Sequence, residues 1–289
     1  MINFRYHVVS LTAVLLALAA GVVLGAGFLD RSDDGAATVA TTDSAIASFE
    51  AGYASRTAPL LTNDVLDSTS VLIVTTTGAR AEDVKGVTSA IERAGGSVVG
   101  TIELTAKLLD PGGRQFADGV AEKAGAEVAE ITDAAPGYPR IGAALARAYL
   151  ATKAADADET SAQLAAAFTE GELVVGEQPD RRASLAVVVT APRSSATEQQ
   201  GASLAALVTA LDQASAGVVV AGPTSSSQQG GLVEAVRADD GASQVSTVDV
   251  ADLALGRIAV ALALAEELDG RSGAWGTARS ADGALPAAS

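Results

Sequence analysis

The sequence predicts a mixed α/β fold with a mostly parallel central sheet, placed behind a single N-terminal transmembrane helix. From Ser68 onward, short continuous valine-rich runs alternate with longer stretches of helical periodicity. The chain is 48% hydrophobic but only 3% aromatic. Its core must therefore be built from Ala, Val and Leu, which favours helices packed closely on a sheet.

The first predicted element is a membrane anchor over residues 8–29. This segment contains no charged residue, and at about 1.5 Å per residue it spans the roughly 30 Å hydrocarbon core. A cleaved signal peptide is the alternative, although its apolar region normally covers only about 7–15 residues. Arg5 precedes the segment and Asp30, Asp33 and Asp34 follow it. We therefore expect residues 1–7 in the cytoplasm and the bulk of the protein on the outer side of the membrane.

Within the predicted anchor, Gly21 and Gly25 form a GxxxG spacing. Two glycines on one helix face let a second helix approach closely, which predicts self-association, although a passive lipid-facing role stays open.

Residues 30–67 are predicted to form a short helical or coiled-coil stalk. Four apolar residues recur every seven positions and a fifth lies at a neighbouring d-type position. Gly52 and Pro59 interrupt helix continuity, so a helix packed on its own domain or a loose linker is the alternative. Together with the anchor, this pattern predicts a parallel homodimer. The predicted seam consists of Val39, Ile46, Phe49, Tyr53 and Leu60.

Residues 68–276 are predicted to form the exported α/β domain, in two strand-helix-strand halves over about 68–178 and 179–276. Parallel strands joined by right-handed helical crossovers predict a doubly wound, Rossmann-like sheet. Asp252 is a candidate N-cap of the last helix, and residues 277–289 are predicted to be a flexible tail. The predicted strands are 71–74, 97–104, 173–175, 185–189, 218–221 and 245–248. The predicted helices are 84–91, 115–124, 141–153, 159–169, 198–213, 232–237 and 252–268.

Charge and composition exclude several function classes. The formal net charge of -16 and pI near 4.4 oppose binding to a nucleic acid. The chain has no cysteine, and its one histidine is His7 beside the anchor. Nucleophilic catalysis by a Ser-His-Asp or Cys-His arrangement therefore cannot be assembled in the exported domain. We predict a non-enzymatic protein without catalytic, cofactor-binding or metal-binding residues, although hydrolysis by a carboxylate pair stays formally open.

Two acidic pairs and one loop remain to be interpreted. Asp239-Asp240 and Glu266-Glu267 are expected on solvated acidic surfaces. The loop 222–231, GPTSSSQQGG, follows a strand at a place where open α/β sheets usually bind ligands. Its hydroxyl and amide groups could line an anion or sugar site, but a plain surface connection is the favoured interpretation.

Three segments carry a resemblance to a known family. They are MINFRYHVVSLTAVLLALAAGVVLGAG, GGSVVGTIELTAKLLDP, and the stretch from GVVVAGPTSSSQQGGLVEAVRADD through ALAEEL to GAWGT. Together they resemble the actinobacterial copper transporter family typified by mycobacterial copper transport protein B. The resemblance implies an envelope protein linked to copper homeostasis, sometimes described as a pore of the mycolate outer membrane. Some relatives are tied instead to envelope assembly at cell division.

The residues themselves do not provide a copper site. Copper(I) prefers thiolate and thioether ligands and copper(II) prefers imidazole, whereas Met1 is the single methionine and His7 the single histidine. The residues therefore favour a second hypothesis, in which the α/β domain is a scaffold that binds another envelope protein.

Overall fold

The computed structural model describes residues 44–193 and 197–286. The predicted anchor 8–29 with Gly21 and Gly25, and Val39 of the predicted seam, lie outside these residues. The chain divides into two units, Met1–Glu50 and Ala51–Ser289. Over the ranges that the structure describes, no helix is both long and apolar enough to cross a membrane.

The centre of the second unit is a seven-stranded sheet with the order β4-β2-β1-β6-β7-β8-β9. Neighbouring strands are parallel except β4, which runs antiparallel to β2. Strands β3 and β5 form a separate two-stranded ribbon. The strands are β1 (Ser70–Thr76), β2 (Ser97–Leu104), β3 (Ala155–Asp156), β4 (Val174–Gly176), β5 (Arg181–Arg182), β6 (Leu185–Val189), β7 (Val218–Ala221), β8 (Ser246–Val248) and β9 (Ala274–Trp275).

The described residues form ten α-helices. They are α1 (44–61), α2 (Ala81–Arg93), α3 (Ala106–Leu109), α4 (Arg114–Ala124), α5 (Ala129–Thr132), α6 (Tyr138–Tyr149), α7 (Glu159–Glu170), α8 (Glu198–Gln213), α9 (Leu232–Ala238) and α10 (Ala254–Leu268). The mixed α/β fold with a mostly parallel central sheet is thus confirmed.

The sheet is covered on both faces because its strands bury side chains in both directions. Leu72 and Val74 of β1 join a core with α3 to α9, whereas Val71 and Ile73 join a second core with α2 and α10. All seven residues of β1 are buried. This is why the valine-rich runs lack the alternation of a sheet exposed on one face.

The two predicted halves meet at the centre of one sheet, where β1 pairs in parallel with β6 through Ile73 and Val187. From this pair the first half continues outward to β2 and the second half to β7. The order of the strands therefore reverses between β1 and β6, which makes their carboxyl ends the topological switch point.

Helix α10 is apolar on nearly all sides because it lies between the sheet and α1. Its Ala259, Val260 and Ala263 join the core on the sheet. Its Ile258 and Leu262 instead pack against Ala54 and Ala58 of α1, in a smaller cluster. A helix that is hydrophobic all round is expected only where both of its sides are covered.

Two features of the C-terminal third differ from the predictions. Leu253, not Asp252, is the N-cap of α10, because the Asp252 carboxylate accepts hydrogen bonds from Thr224. Glu266 and Glu267 are buried, at 5% and 6% exposure, rather than lying on a solvated surface. Burial and the nearby Asp212 raise the pKa of Glu267 to about 8, although its hydrogen bonds with Ser246 act in the opposite direction.

The described part of the predicted flexible tail makes specific contacts. The backbone N–H of Thr277 donates to Asp249 at 2.8 Å, and Gly276 donates to the carbonyl of Gly283 at 2.9 Å. Strand β9, which the sequence analysis did not predict, lies just before this tail. Its two residues are too short to produce a periodic pattern.

Candidate functional site

The carboxyl edge of the sheet is the first candidate site, because ligands of open α/β sheets bind there. Thr76 follows the hydrophobic part of β1, Thr190 follows β6, and Gly222 follows β7. The hydroxyl of Thr76 accepts from the backbone N–H of Ala191 at 2.9 Å, which ties the ends of β1 and β6 together. Hydroxyl groups from neighbouring strands thus collect at the switch point.

The loop 222–231 lies at this edge, as its sequence position predicts, and is tightly folded. Thr224–Ser227 form a 3-10 turn, and the fully buried Ser226 donates to the carbonyl of Pro223 at 2.6 Å. A side chain at Gly222 would collide with the hydroxyls of Thr190 and Ser226. The hydroxyls of this loop are therefore used largely to hold the loop itself.

Thr190 is the exception at this edge. Its side chain is completely buried, and its hydroxyl has no hydrogen-bond partner in the described part of the chain. Neither its sequence context nor its spacing distinguishes Thr190 from the other hydroxyl residues, so sequence reasoning could not single it out.

Charged groups at the same edge compensate one another. Arg80 Nε donates to the buried carboxylate of Asp83 at 2.8 Å, and Arg80 Nη2 lies 3.8 Å from Asp252. The hydrogen bond with Asp83 is the main reason why the pKa of Arg80 is raised. Arg257 contributes a longer pair with Asp83, at 3.9 Å. The network leaves little net charge with which to attract a charged ligand.

The described residues include no group of three or more His, Cys, Asp or Glu side chains arranged to hold a metal ion. A copper site would in addition need soft or imidazole ligands, which the sequence supplies only as Met1 and His7. The carboxyl edge therefore has hydroxyls and paired charges, and neither arrangement suits copper.

Helix α1 provides the second candidate, a protein-binding surface. In the unit that begins at Ala51, Ala54 and Ala58 are buried against α10, whereas Tyr53 and Leu60 are 53% and 83% exposed. Residues 54 and 58 are one helical turn apart, and 53 and 60 are two turns apart. At 100° per residue, the second pair lies about 130° around the helix from the first.

In the unit Met1–Glu50, the described residues 44–50 are helical. Ile46 and Phe49 are 60% and 75% exposed. In the sequence they precede Tyr53 by seven and four residues, which is the spacing of the predicted seam. Four of the five predicted seam residues are thus exposed in the single chain.

The sequence analysis treated packing on the domain and a coiled-coil seam as alternatives. In the structure the helix packs on its own domain with residues other than those of the seam. The signal that was missed is the pair Ala54 and Ala58, because small side chains that let helices approach closely are easily overlooked beside larger apolar ones.

Comparison with known proteins covers the chain almost from end to end. Residues 1–286 match the family model described as copper transport outer membrane protein, MctB. Relatives named copper transporter MctB from Mycobacterium tuberculosis and Mycobacterium bovis are each 32% identical over 326 aligned residues, covering 97% of this chain and 98% of the relative. The relative of the same name from Mycobacterium leprae is 28% identical over 328 residues, with the same coverage. The chain therefore belongs to the MctB family.

Proposed function

We propose that this chain is a non-enzymatic, membrane-anchored envelope protein that acts in copper homeostasis without binding copper through its α/β domain. The proposal rests on a mismatch between the names of the relatives and the composition of this chain. The chain is similar over 97% of its length to relatives named copper transporters, yet it has no cysteine, one methionine and one histidine. A role in copper homeostasis through binding of a partner protein therefore fits this composition better than direct coordination of the metal.

The membrane part of the proposal rests on the sequence. Residues 8–29 are long and apolar enough for one span, and Arg5 favours a cytoplasmic N-terminus. An outer-membrane location is suggested by the family description. A reporter fused to the C-terminus should be active only outside the cytoplasm, and activity confined to the cytoplasm would reverse the topology.

We further propose that the protein acts as a parallel homodimer. Gly21 and Gly25 would let two anchors cross closely, and the seam residues Ile46 and Leu60 are exposed on helix α1. Membrane anchoring raises the effective concentration of one stalk near the other, so a short seam suffices.

Copper handling and partner binding can be separated in cells. Deleting the gene should cause copper sensitivity that the full chain restores, with normal septation and wall integrity. Purified full-length protein should not retain copper(I) in the presence of a competing thiol chelator. Stoichiometric retention would contradict the claim that the chain does not ligate the metal.

The second candidate function is a scaffold in envelope assembly or division, with no role in copper handling. The exposed face of α1 and the internally paired polar groups of the carboxyl edge favour a protein partner over a reaction. Defective septation with unchanged copper sensitivity in the deletion strain would support this candidate and exclude the first.

A further inference from the structure

A polar pocket of about 260 Å³ lies between α9, β8, β9 and the segment that follows β9. Val236 and Val245 contribute apolar surface, and Ser243, Ser280 and Asp282 contribute polar groups. The pocket lies outside the candidate sites described above. Its volume is just below the range of about 300–1,000 Å³ that holds drug-sized ligands, so it suits a molecule of single-ring size.

Arg237 reaches this pocket, but its charge is already neutralised. Its Nη1 lies 2.7 Å from the carboxylate of Asp249, and both side chains are almost completely buried. Further hydrogen bonds run from Arg237 to Thr247, Ser280 and the carbonyl of Trp275. Four of the five N–H groups of a guanidinium are thereby used, which leaves one for a ligand.

Other residues that line the pocket supply acceptors and hydroxyls. Asp282 Oδ2 accepts from the backbone N–H of Ala274 at 2.9 Å, whereas its Oδ1 accepts no hydrogen bond from the described residues. The hydroxyls of Ser243 and Ser272 also donate none within that part of the chain. The pocket thus combines a carboxylate oxygen, hydroxyls and one guanidinium N–H.

This combination selects for a class of ligand. An anion would meet the Asp282 carboxylate without a free positive charge, because Asp249 neutralises Arg237. A cation could donate to Asp282 but could not accept a hydrogen bond from the remaining N–H of Arg237. A neutral molecule with several hydroxyl groups can donate to Asp282 and accept from Arg237 and the serines. We propose that this pocket binds a neutral polyhydroxylated molecule of one-ring size, such as a monosaccharide or a cyclic polyol.

The chain contains a built-in reporter for this site. Trp275 is its only tryptophan, and a Cβ on Gly273, which lines the pocket, would lie 2.7 Å from the Trp275 ring. The indole N–H is buried and has no hydrogen-bond partner among the described residues. Filling the pocket should therefore change the environment of Trp275.

Full-length protein in detergent is titrated separately with glucose, galactose, mannose and myo-inositol, and with inorganic phosphate and choline. Trp275 fluorescence and hydrogen exchange of peptides covering 272–286 are recorded. At least one neutral polyol should give a saturable fluorescence change and slow exchange in those peptides. The proposal is overturned if none of the neutral polyols changes either readout, or if phosphate or choline saturates the site instead.

Two variants and one matched control locate the binding site. Asp282→Asn keeps the acceptor for Ala274 but removes the charge, and a lost charge-assisted hydrogen bond of about 1.5 kcal/mol or more weakens binding about tenfold or more. Asp240→Asn, on an exposed turn outside the pocket, is the matched control and should bind normally. Ser243→Leu, at the exposed rim, should block binding while leaving the melting temperature near that of the wild type. Unchanged binding in Ser243→Leu would overturn the proposal.

Discussion

The two ends of the α/β domain are attached to it by opposite kinds of contact. Helix α1 packs on α10 through apolar side chains, among them Ala54 and Ala58. The C-terminal segment is held by polar contacts that converge on Asp249, which binds Arg237, Thr277 and Ala278. The stabilisation from apolar packing changes gradually with side-chain size. A buried polar network instead loses its stabilising effect when one member is removed, because the remaining polar groups are left unpaired. The two ends should therefore respond very differently to single substitutions.

The largest effect is expected for Asp249→Ala. This change leaves the buried Arg237 without its counter-ion and removes the acceptor for Thr277. The free energy of unfolding should therefore fall by about 3–5 kcal/mol. Urea denaturation measures the difference. The matched control is Asp156→Ala, whose pair with Arg181 is exposed and 3.8 Å long; it should cost less than about 1 kcal/mol. Equal losses of stability in the two variants would contradict the claim that the buried network around Asp249 stabilises the fold much more than an exposed ion pair.

Glu267 extends the polar contacts to the last turn of α10. Its folded pKa of about 8 exceeds the ordinary value of 4.5, so the folded state binds more protons between these pH values. The stability from this group is fully present below about pH 4.5 and is lost as the pH rises through about 8, by a few kcal/mol. Glu267→Gln should flatten this dependence in urea titrations at pH 5 to 9. An unchanged pH slope would show that Glu267 is not the responsible group.

Gly276 tests how closely the C-terminal segment approaches Asp249. Its φ of 134° is unfavourable for other residues, and a side chain there would also collide with the Asp249 carboxylate. Gly276→Ala should therefore lower stability by more than about 1 kcal/mol. Gly270→Ala also places alanine at a positive φ, the milder value of 70°, and its added Cβ meets open space. Thermal melts should show a smaller loss for Gly270→Ala, and a reversed order would contradict the close approach.

The smallest effects are expected at α1, where the two apolar faces can be compared directly. Ala58→Leu overpacks the contact with α10 and should cost about 1–3 kcal/mol. Leu60→Asp, on the exposed face, should change stability by less than about 0.5 kcal/mol but weaken self-association. Thermal melts and sedimentation of the same samples separate the two readouts. A large loss of stability in Leu60→Asp would mean that this face is buried within one chain.

The difference between apolar packing and polar contacts also explains which elements could be predicted from the sequence. Strands β1, β6 and β7 were placed within two residues because continuous runs such as Val187-Val188-Val189 are distinctive. Strand β9 was missed because it has only two residues and pairs with Thr247 and Val248 of β8, which lie 27 residues earlier in the sequence. Polar contacts between distant residues leave no periodic pattern.

The acidic residues show the same limit. Glu266 and Glu267 look like a solvated pair in the sequence, because the Ser246 backbone N–H that donates to Glu267 lies 21 residues earlier. For the candidate sites, the position of the loop 222–231 at the carboxyl edge was predictable from strand order. The partners of its hydroxyls were not, since they are set by the tight packing around Gly222.

The central claim is that α1 uses one face within the chain and its other face for a second copy. A cysteine at the exposed Ala47 tests it directly, because the chain has no native thiol. In membranes, Ala47→Cys should crosslink between two copies. The crosslink should weaken when Ile46 and Phe49 are replaced by Asp, or when Gly21 and Gly25 are replaced by Ile. Absence of the crosslink with the native anchor present, or its survival in both sets of replacements, would contradict the account.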